Sequence, residues 1–171
     1  MNFKYFRDPL NFAYLSDKSV SCSVCKEVKI CFEAGGYVGL QDIDNICEDC
    51  LKAGKLIELG NEANLLAGDY SSEAAMTIAY KTPAFPNWQD TAWPIINEQY
   101  PVFERIASKE DFNDKQEFID SFIEEDEKKS DISWLWDMLP DKALKNYNEA
   151  PDVSIYLFSL NNRKYWVWDA S

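Results

Sequence analysis

Apolar and polar positions along this chain follow several distinct rhythms. Val153-Ser154-Ile155-Tyr156-Leu157-Phe158 and Lys164-Tyr165-Trp166-Val167-Trp168 are strand-like runs flanking Asn161-Asn162, which predicts a β-hairpin. Asp111 to Glu127 sets Phe112, Phe118, Ile119, Phe122 and Ile123 at helical spacing and predicts one helix. Its last residues, Glu124-Glu125-Asp126-Glu127, oppose the helix dipole and predict an exposed end. Ile132 to Leu139 predicts a second helix or turn, stopped by Pro140, and a helical pattern runs from Leu56-Ile57 to Leu65-Leu66. Ala74 to Ala79 reads as a strand or a helix end.

The first third is less regular. Residues 3–16 are rich in aromatics and are expected to be extended. Val28-Lys29-Ile30-Cys31-Phe32 alternates like a short strand, Gly35-Gly36 turns the chain, and Tyr37-Val38-Gly39-Leu40 is expected to pair back as a second strand. Between Lys81 and Pro94 three prolines break regular structure. Asn87 to Trp93 is expected to form a short helix stopped at Pro94, with Phe85, Trp88 and Trp93 as large apolar anchors. Together these elements predict an α+β fold: a zinc-ribbon-like N-terminal element packed on an aromatic-rich mixed domain ending in a β-hairpin. At 171 residues this is expected to be one domain, residues 1–171, with residues 20–55 as a metal-stapled lobe.

The metal expectation comes from Cys22-Ser23-Val24-Cys25 and Cys47-Glu48-Asp49-Cys50, with 21 residues between the pairs. A two-residue gap lets two thiolates turn back onto one ion, and two such knuckles complete a tetrahedral sulfur shell suited to Zn²⁺. Two disulfides or four free thiols are the competing readings. The opening Met1-Asn2-Phe3-Lys4-Tyr5-Phe6-Arg7-Asp8-Pro9 has no uninterrupted apolar stretch, so the expected location is the cytoplasm, where thiols stay reduced. Four sulfurs leave no open position for a reacting water, so the expected zinc is a structural cofactor. Cys31 fits neither knuckle and reads better as a buried strand residue than as a ligand.

Net charge is −13 and there is no histidine. The charge disfavours nucleic acid and anionic membrane as partners and favours a basic partner, although it also serves solubility. Without histidine, Ser-His-Asp and Cys-His catalysis and HExxH metal sites are excluded. GxGxxG and GxxxxGK[ST] are missing too. No carboxylate pair stands out for acid–base work, and Cys31 as a nucleophile would need a lysine or a helix dipole to activate it. The expectation is no catalytic residues.

Lys81-Thr82-Pro83-Ala84-Phe85-Pro86-Asn87-Trp88-Gln89 with Trp93 is similar to an "RTPGF-x-x-WQ" segment and the tryptophan beyond it. Phe3-Lys4-Tyr5 with Asp8-Pro9-Leu10 resembles "FKYHPDP", and Ile46-Cys47-Glu48-Asp49-Cys50-Leu51-Lys52-Ala53-Gly54 resembles "LCPWCIADG". In these segments the chain resembles the CbrC family of bacterial cytosolic proteins, whose named member is linked to colicin tolerance. The resemblance implies that Cys22, Cys25, Cys47 and Cys50 are zinc ligands. Where such proteins carry "WLTHC" and "YLFRCLHCGKH", this chain has Trp93-Pro94-Ile95-Ile96-Asn97 and Tyr156-Leu157-Phe158-Ser159-Leu160-Asn161-Asn162-Arg163-Lys164. Any metal or redox work of that second CxxC is therefore lost here.

The function expected is that of a non-enzymatic, acidic, zinc-stapled binding protein, a toxin-tolerance or immunity-like factor that holds a basic protein such as a toxin. Candidate contact residues are Glu124, Glu125, Asp126, Glu127, Trp134 and Trp136, aromatics among carboxylates. A solvated helix end would explain the acidic run equally. Trp88, Trp93, Trp166 and Trp168 are expected in the core. The alternatives are a zinc/thiol redox sensor and an enzyme of unknown reaction.

Overall fold

The computed structural model describes residues 1–124 and 126–171. The aromatic opening does not stay extended: after buried Phe3, Tyr5 and Phe6, the chain makes one helical turn, α1 (Pro9–Phe12). The Asp8 carboxylate accepts the Asn11 amide at 3.3 Å, and Pro9 sits at a first helical position, where its missing N–H costs nothing.

β1 (Val20–Ser21) and β2 (Val28–Lys29) form a small hairpin around the first cysteine knuckle. The strand expected over 28–32 is two strands. Ile30 interrupts it, and β3 (Cys31–Glu33) takes a different partner. Gly35-Gly36 does turn the chain, with the Tyr37 amide donating to the Ala34 carbonyl at 3.0 Å. However, β4 (Val38–Gly39) leaves β3 instead of pairing back onto it. The antiparallel partner of β3 is β5 (Asn45–Cys47), in the register Cys31↔Cys47, Phe32↔Ile46 and Glu33↔Asn45. Two short helices follow, α2 (Glu48–Lys52) and α3 (Lys55–Leu59). The longer helix expected to reach Leu66 ends at Gly60, whose left-handed φ of 69° closes α3 as a C-cap. The chain then enters β6 (Asn61–Glu62), which pairs with β4. A side chain at Gly39 would stand 2.5 Å from the Asn61 Cα, so only glycine permits this approach.

The segment that read as strand or helix end is a helix, α4 (Glu73–Lys81). Ser72 caps it by accepting the Ala75 amide at 3.1 Å, and Ala75, Ile78 and Ala79 form its buried face. After the proline segment comes β7 (Val102–Ile106). The single helix expected over 111–127 is instead a 3₁₀ turn at Lys109–Asp111, then α5 (Lys115–Asp120), then α6 (Asp126–Lys129). Asp114 starts α5 afresh by accepting the Glu117 amide at 2.8 Å. The chain leaves α5 at Ser121, whose carbonyl accepts the Trp166 amide at 3.1 Å. A tertiary hydrogen bond thus displaces the periodic pattern. α7 (Leu135–Met138) ends before Pro140, as expected.

The closing hairpin forms as the sequence predicts, with β8 (Val153–Leu160) and β9 (Arg163–Ala170) in unbroken register. Asn161 and Asn162 take φ of 51° and 62°, both left-handed, as a two-residue turn matched to strand twist requires. β8 lies between β7 and β9, so both of its edges are hydrogen-bonded, and its alternate residues enter two cores, one on each face. Tyr156 and Phe158 enter one core with Phe85, Trp93 and Phe103, and Ile155 and Leu157 enter another with Phe118 and Trp166. In the first core Phe85 meets Trp93, Tyr156 and Phe158 edge-to-face at 5.2–5.7 Å. In the second, Trp166 stacks on Phe118 at 4.3 Å and donates its indole N–H to the Phe118 carbonyl at 2.7 Å. Burial of each such ring contributes about 1.5–3 kcal/mol. The first core also contains Cys22, Cys31, Phe32, Cys47 and Leu51, so the cysteine element and the aromatic body share one interior. Among the described residues no helix is long and apolar enough to cross a membrane.

Candidate functional site

Two features stand out, at opposite ends of the β3–β5 ladder. At one end the sulfurs of Cys22, Cys25, Cys47 and Cys50 all lie within 4.8 Å of one another, with Cys25 and Cys47 at 3.8 Å. Four sulfurs at about 2.3 Å from a central ion would stand about 3.8 Å apart. The first knuckle is a tight turn: the Cys22 amide donates to the Glu27 carbonyl at 2.9 Å, and the Lys26 amide donates back to Cys22 at 3.0 Å. Lys26 takes a left-handed φ of 65° to close it. The second knuckle begins at the last residue of β5, and Cys47 doubles as the N-cap of α2, which carries Cys50.

Backbone N–H groups converge on the sulfurs. The Cys47 amide donates to Cys22 Sγ at 3.4 Å. Burial raises the Cys22 thiol, but the amides of Cys25, Cys47 and Val24 outweigh it and bring the group down to about 6. Cys47 is pushed up by burial against the opposing Cys50 amide, and Cys50 is pushed up by burial and by the neighbouring sulfurs of Cys47 and Cys25. Four thiolates cannot crowd together without a cation between them, while N–H donors already favour the first ionisation. The donor set and its spacing therefore fit a thiolate-binding metal ion, and these four cysteines can hold one. A four-sulfur shell has no open position for chemistry.

Cys31 stands apart from the quartet, as the sequence expected. It is buried in β3 beside Cys47, its Sγ donates weakly to the Lys29 carbonyl at 3.5 Å, and burial together with the neighbouring cysteines pushes its thiol up to about 11. At neutral pH it is a thiol, not a thiolate. Lys29 Nζ meets Glu27 at 2.6 Å and Asp49 at 3.0 Å, tying the first hairpin to α2 at the surface.

The other end of the ladder opens into a cleft of about 700 Å³. Tyr14, Tyr37, Phe85 and Trp88 give it aromatic walls. Glu33, Asp44, Glu62 and Asp90 bring carboxylates, and no described lysine or arginine lines it. Glu62 accepts the Tyr70 hydroxyl at 2.7 Å, whereas Glu33, Asp44 and Asp90 are not ion-paired to any described lysine or arginine.

Two buried polar side chains hold the wall of this cleft. Asn64 donates to the carbonyls of Ile78, Thr82 and Pro83 at 3.0–3.2 Å and accepts the Phe85 amide at 3.3 Å. Asp169, only 4% exposed on β9, accepts the amides of Trp88 at 2.8 Å and Gln89 at 3.2 Å, the Thr91 hydroxyl at 3.2 Å and the Tyr156 hydroxyl at 2.7 Å. These bonds impose a loop on residues 87–93, so the helix expected there does not form. They also turn Trp88 outward. Trp93 and Trp166 are buried, as expected; Trp168 is only half-buried, packed against the second core, and Trp88 is 54% exposed and not in the core. The sequence signal for this wall was the proline-bounded stretch with its paired tryptophans; Asp169 and Asn64 gave none, because their partners lie up to 81 residues away.

Of the candidate contact residues of the α6–α7 region, the structure describes the side chains of Glu124, Trp134 and Trp136. Glu124 is exposed and paired with Lys128 at 2.6 Å, and Trp134 is exposed with its edge on Trp168 at 5.6 Å. Trp136 is half-buried against Phe118. Glu125, and the side chains of Asp126 and Glu127, lie outside the described residues.

No solved structure matches this chain. A family profile matches residues 1–169, and it spans both the cysteine quartet and the Asp169 that holds the cleft. On that match over nearly its whole length, the chain belongs to the uncharacterised protein family UPF0167.

Proposed function

We propose that this chain is a non-enzymatic, zinc-stapled acidic protein that binds a basic protein partner. The observation that carries the binding reading is the charge: 30 carboxylate residues against 17 cationic ones, with three carboxylates of the cleft paired to no described lysine or arginine. Such a field steers a basic protein toward the cleft and speeds encounter. Zinc suits the four-sulfur set because soft thiolates in a tetrahedron are its preferred structural shell. The similarity of Lys81–Gln89 and the second knuckle to the CbrC family supports a role in toxin tolerance in the bacterial cytoplasm. Glu124, Glu125, Asp126, Glu127, Trp134 and Trp136 remain the first candidates for a secondary contact.

Affinity capture from native cells at low salt, with zinc measured on the same sample, tests this. The expected result is about one zinc per chain and a basic protein that elutes as salt rises. Capture that recovers no basic protein at low salt overturns the binding reading.

A second reading, a zinc/thiol redox sensor, rests on Cys25 being the exposed member of the quartet. Mild peroxide would then release zinc. Retention of zinc while free thiols oxidise removes that reading.

A further inference from the structure

We infer that the 700 Å³ cleft is a receptor for an arginine side chain on an extended segment of the basic partner, with Trp88 as the stacking platform. This rests on the proposed function and names its site. Three observations carry it.

The first is size and continuity. A cleft of this volume is in the range of pockets that enclose a ligand group. A smaller one of about 310 Å³ adjoins it, sharing Tyr14 and Trp88 and bounded by Pro86, Tyr147 and Pro151. Tyr14 and Trp88 border both hollows, so a stretch of chain laid across Trp88 would reach from one into the other, which suits an extended segment better than a single side chain.

The second is the wall. Trp88 is half-exposed although four hydrogen bonds to buried Asp169 fix the structure beneath and beside it. A tethered, pre-set aromatic face loses little freedom on binding. A guanidinium plane stacks on such a face, and its forked N–H groups match carboxylates.

The third is charge. Glu33 and Asp44 from the ladder end and Asp90 from the tethered loop reach the same space without a described cation to balance them. A cation entering the cleft comes among carboxylates carried by both the ladder end and the tethered loop. The flat guanidinium fits the aromatic wall better than the strongly hydrated lysine ammonium does.

The test uses the full, zinc-loaded chain and a capped peptide of alternating glycine and arginine, followed by calorimetry and by tryptophan fluorescence, with Trp88→Ala assigning the change to Trp88 among the six tryptophans. Comparators are the same peptide with citrulline for arginine, and free spermidine. The expected result is saturable binding of the arginine peptide and none of the citrulline peptide. Trp88→Ala, and separately Glu33→Gln with Asp90→Asn, should each weaken binding by about tenfold. Both sets change exposed or partly exposed positions, and an unchanged melting curve confirms that the variants are folded. No binding of the arginine peptide, undiminished binding by the variants, or equal binding of the citrulline peptide overturns the site. Spermidine binding at least as tightly assigns the cleft to a free amine and overturns it as well. If native capture of a basic protein persists in Trp88→Ala, the cleft assignment falls and the proposed function stands. If wild-type capture itself fails, the function falls first.

Discussion

Asp169 shows how much of this site one side chain controls. Its carboxylate is enclosed by four donors from two parts of the chain, the 88–91 loop and β8, and charge-assisted bonds of this kind contribute about 1.5–3 kcal/mol when they cannot be replaced by water. Asp169→Ala leaves the Trp88 and Gln89 amides and the Tyr156 hydroxyl unmatched. We expect it to cost about 3 kcal/mol in urea unfolding and to change Trp88 fluorescence in the folded protein. A loss below about 1 kcal/mol would show that water replaces the carboxylate at these donors. The same residue explains why Trp88 was misplaced by sequence reasoning. Residue type argues for burial, but the backbone beneath the indole is fixed by an acceptor 81 positions away. Cys22, Cys25, Cys47 and Cys50 were legible for the opposite reason: their spacing alone carries the chemistry.

At the scale of elements, legibility followed how locally each signal acts. The β8–β9 hairpin was readable because its turn residues must take left-handed φ, and asparagine does so more readily than most. Asn162→Val, a β-branched residue at φ of 62°, should cost about 1–2 kcal/mol while leaving the cysteine cluster intact. Denaturant unfolding and zinc content on the same variant check both halves of that statement. α4 depends on its cap in the same way, so Ser72→Ala should cost about 1 kcal/mol. The helices expected over 56–66 and 111–127 failed because a competing local or tertiary bond won. Gly60 and its closing bonds ended the first, while the Asp114 cap and the Trp166–Ser121 bond divided the second. β3 and β4 were mispaired because strands of two or three residues carry too little pattern to select a partner.

The larger of the two cores joins the cysteine element to the aromatic body, so removing a metal held by the cysteines should be felt beyond residues 20–55. Structural zinc is worth on the order of 10 kcal/mol to the element it orders. Complete chelation, or Cys47→Ser, is expected to unfold the N-terminal element and to lower the melting temperature of the aromatic body. Unchanged melting after chelation contradicts this. Stability should also fall in alkali. Burial, then nearby Tyr147, Asp169 and Glu33, pushes the Tyr14 phenol up to about 12. Burial and the Glu62 hydrogen bond push Tyr70 up to about 12, and burial with the Asp169 bond raises Tyr156 further. The unfolded phenols ionise near 10. Because the folded values are the higher ones, the effect is nil below pH 10 and stability is lost as pH rises through 12. Urea unfolding followed alongside phenolate absorbance over this range should show the two changing together.

The β3–β5 ladder has three residue pairs, with Cys31↔Cys47 at one end and Glu33↔Asn45 at the other. The Ser23 hydroxyl inside the first knuckle accepts the amides of Asp44 and Asn45, each at 3.2 Å, which reinforces the link. The proposed metal and the proposed occupant of the cleft would share this framework, and an ion that orders the ladder would order one wall of the cleft with it. Thermodynamic reciprocity then requires that an occupant of the cleft tighten the hold on the metal by the same factor by which the metal tightens the hold on the occupant. If the proposed zinc and the proposed basic partner both bind, zinc depletion should weaken capture of the partner, which affinity capture with and without chelator checks.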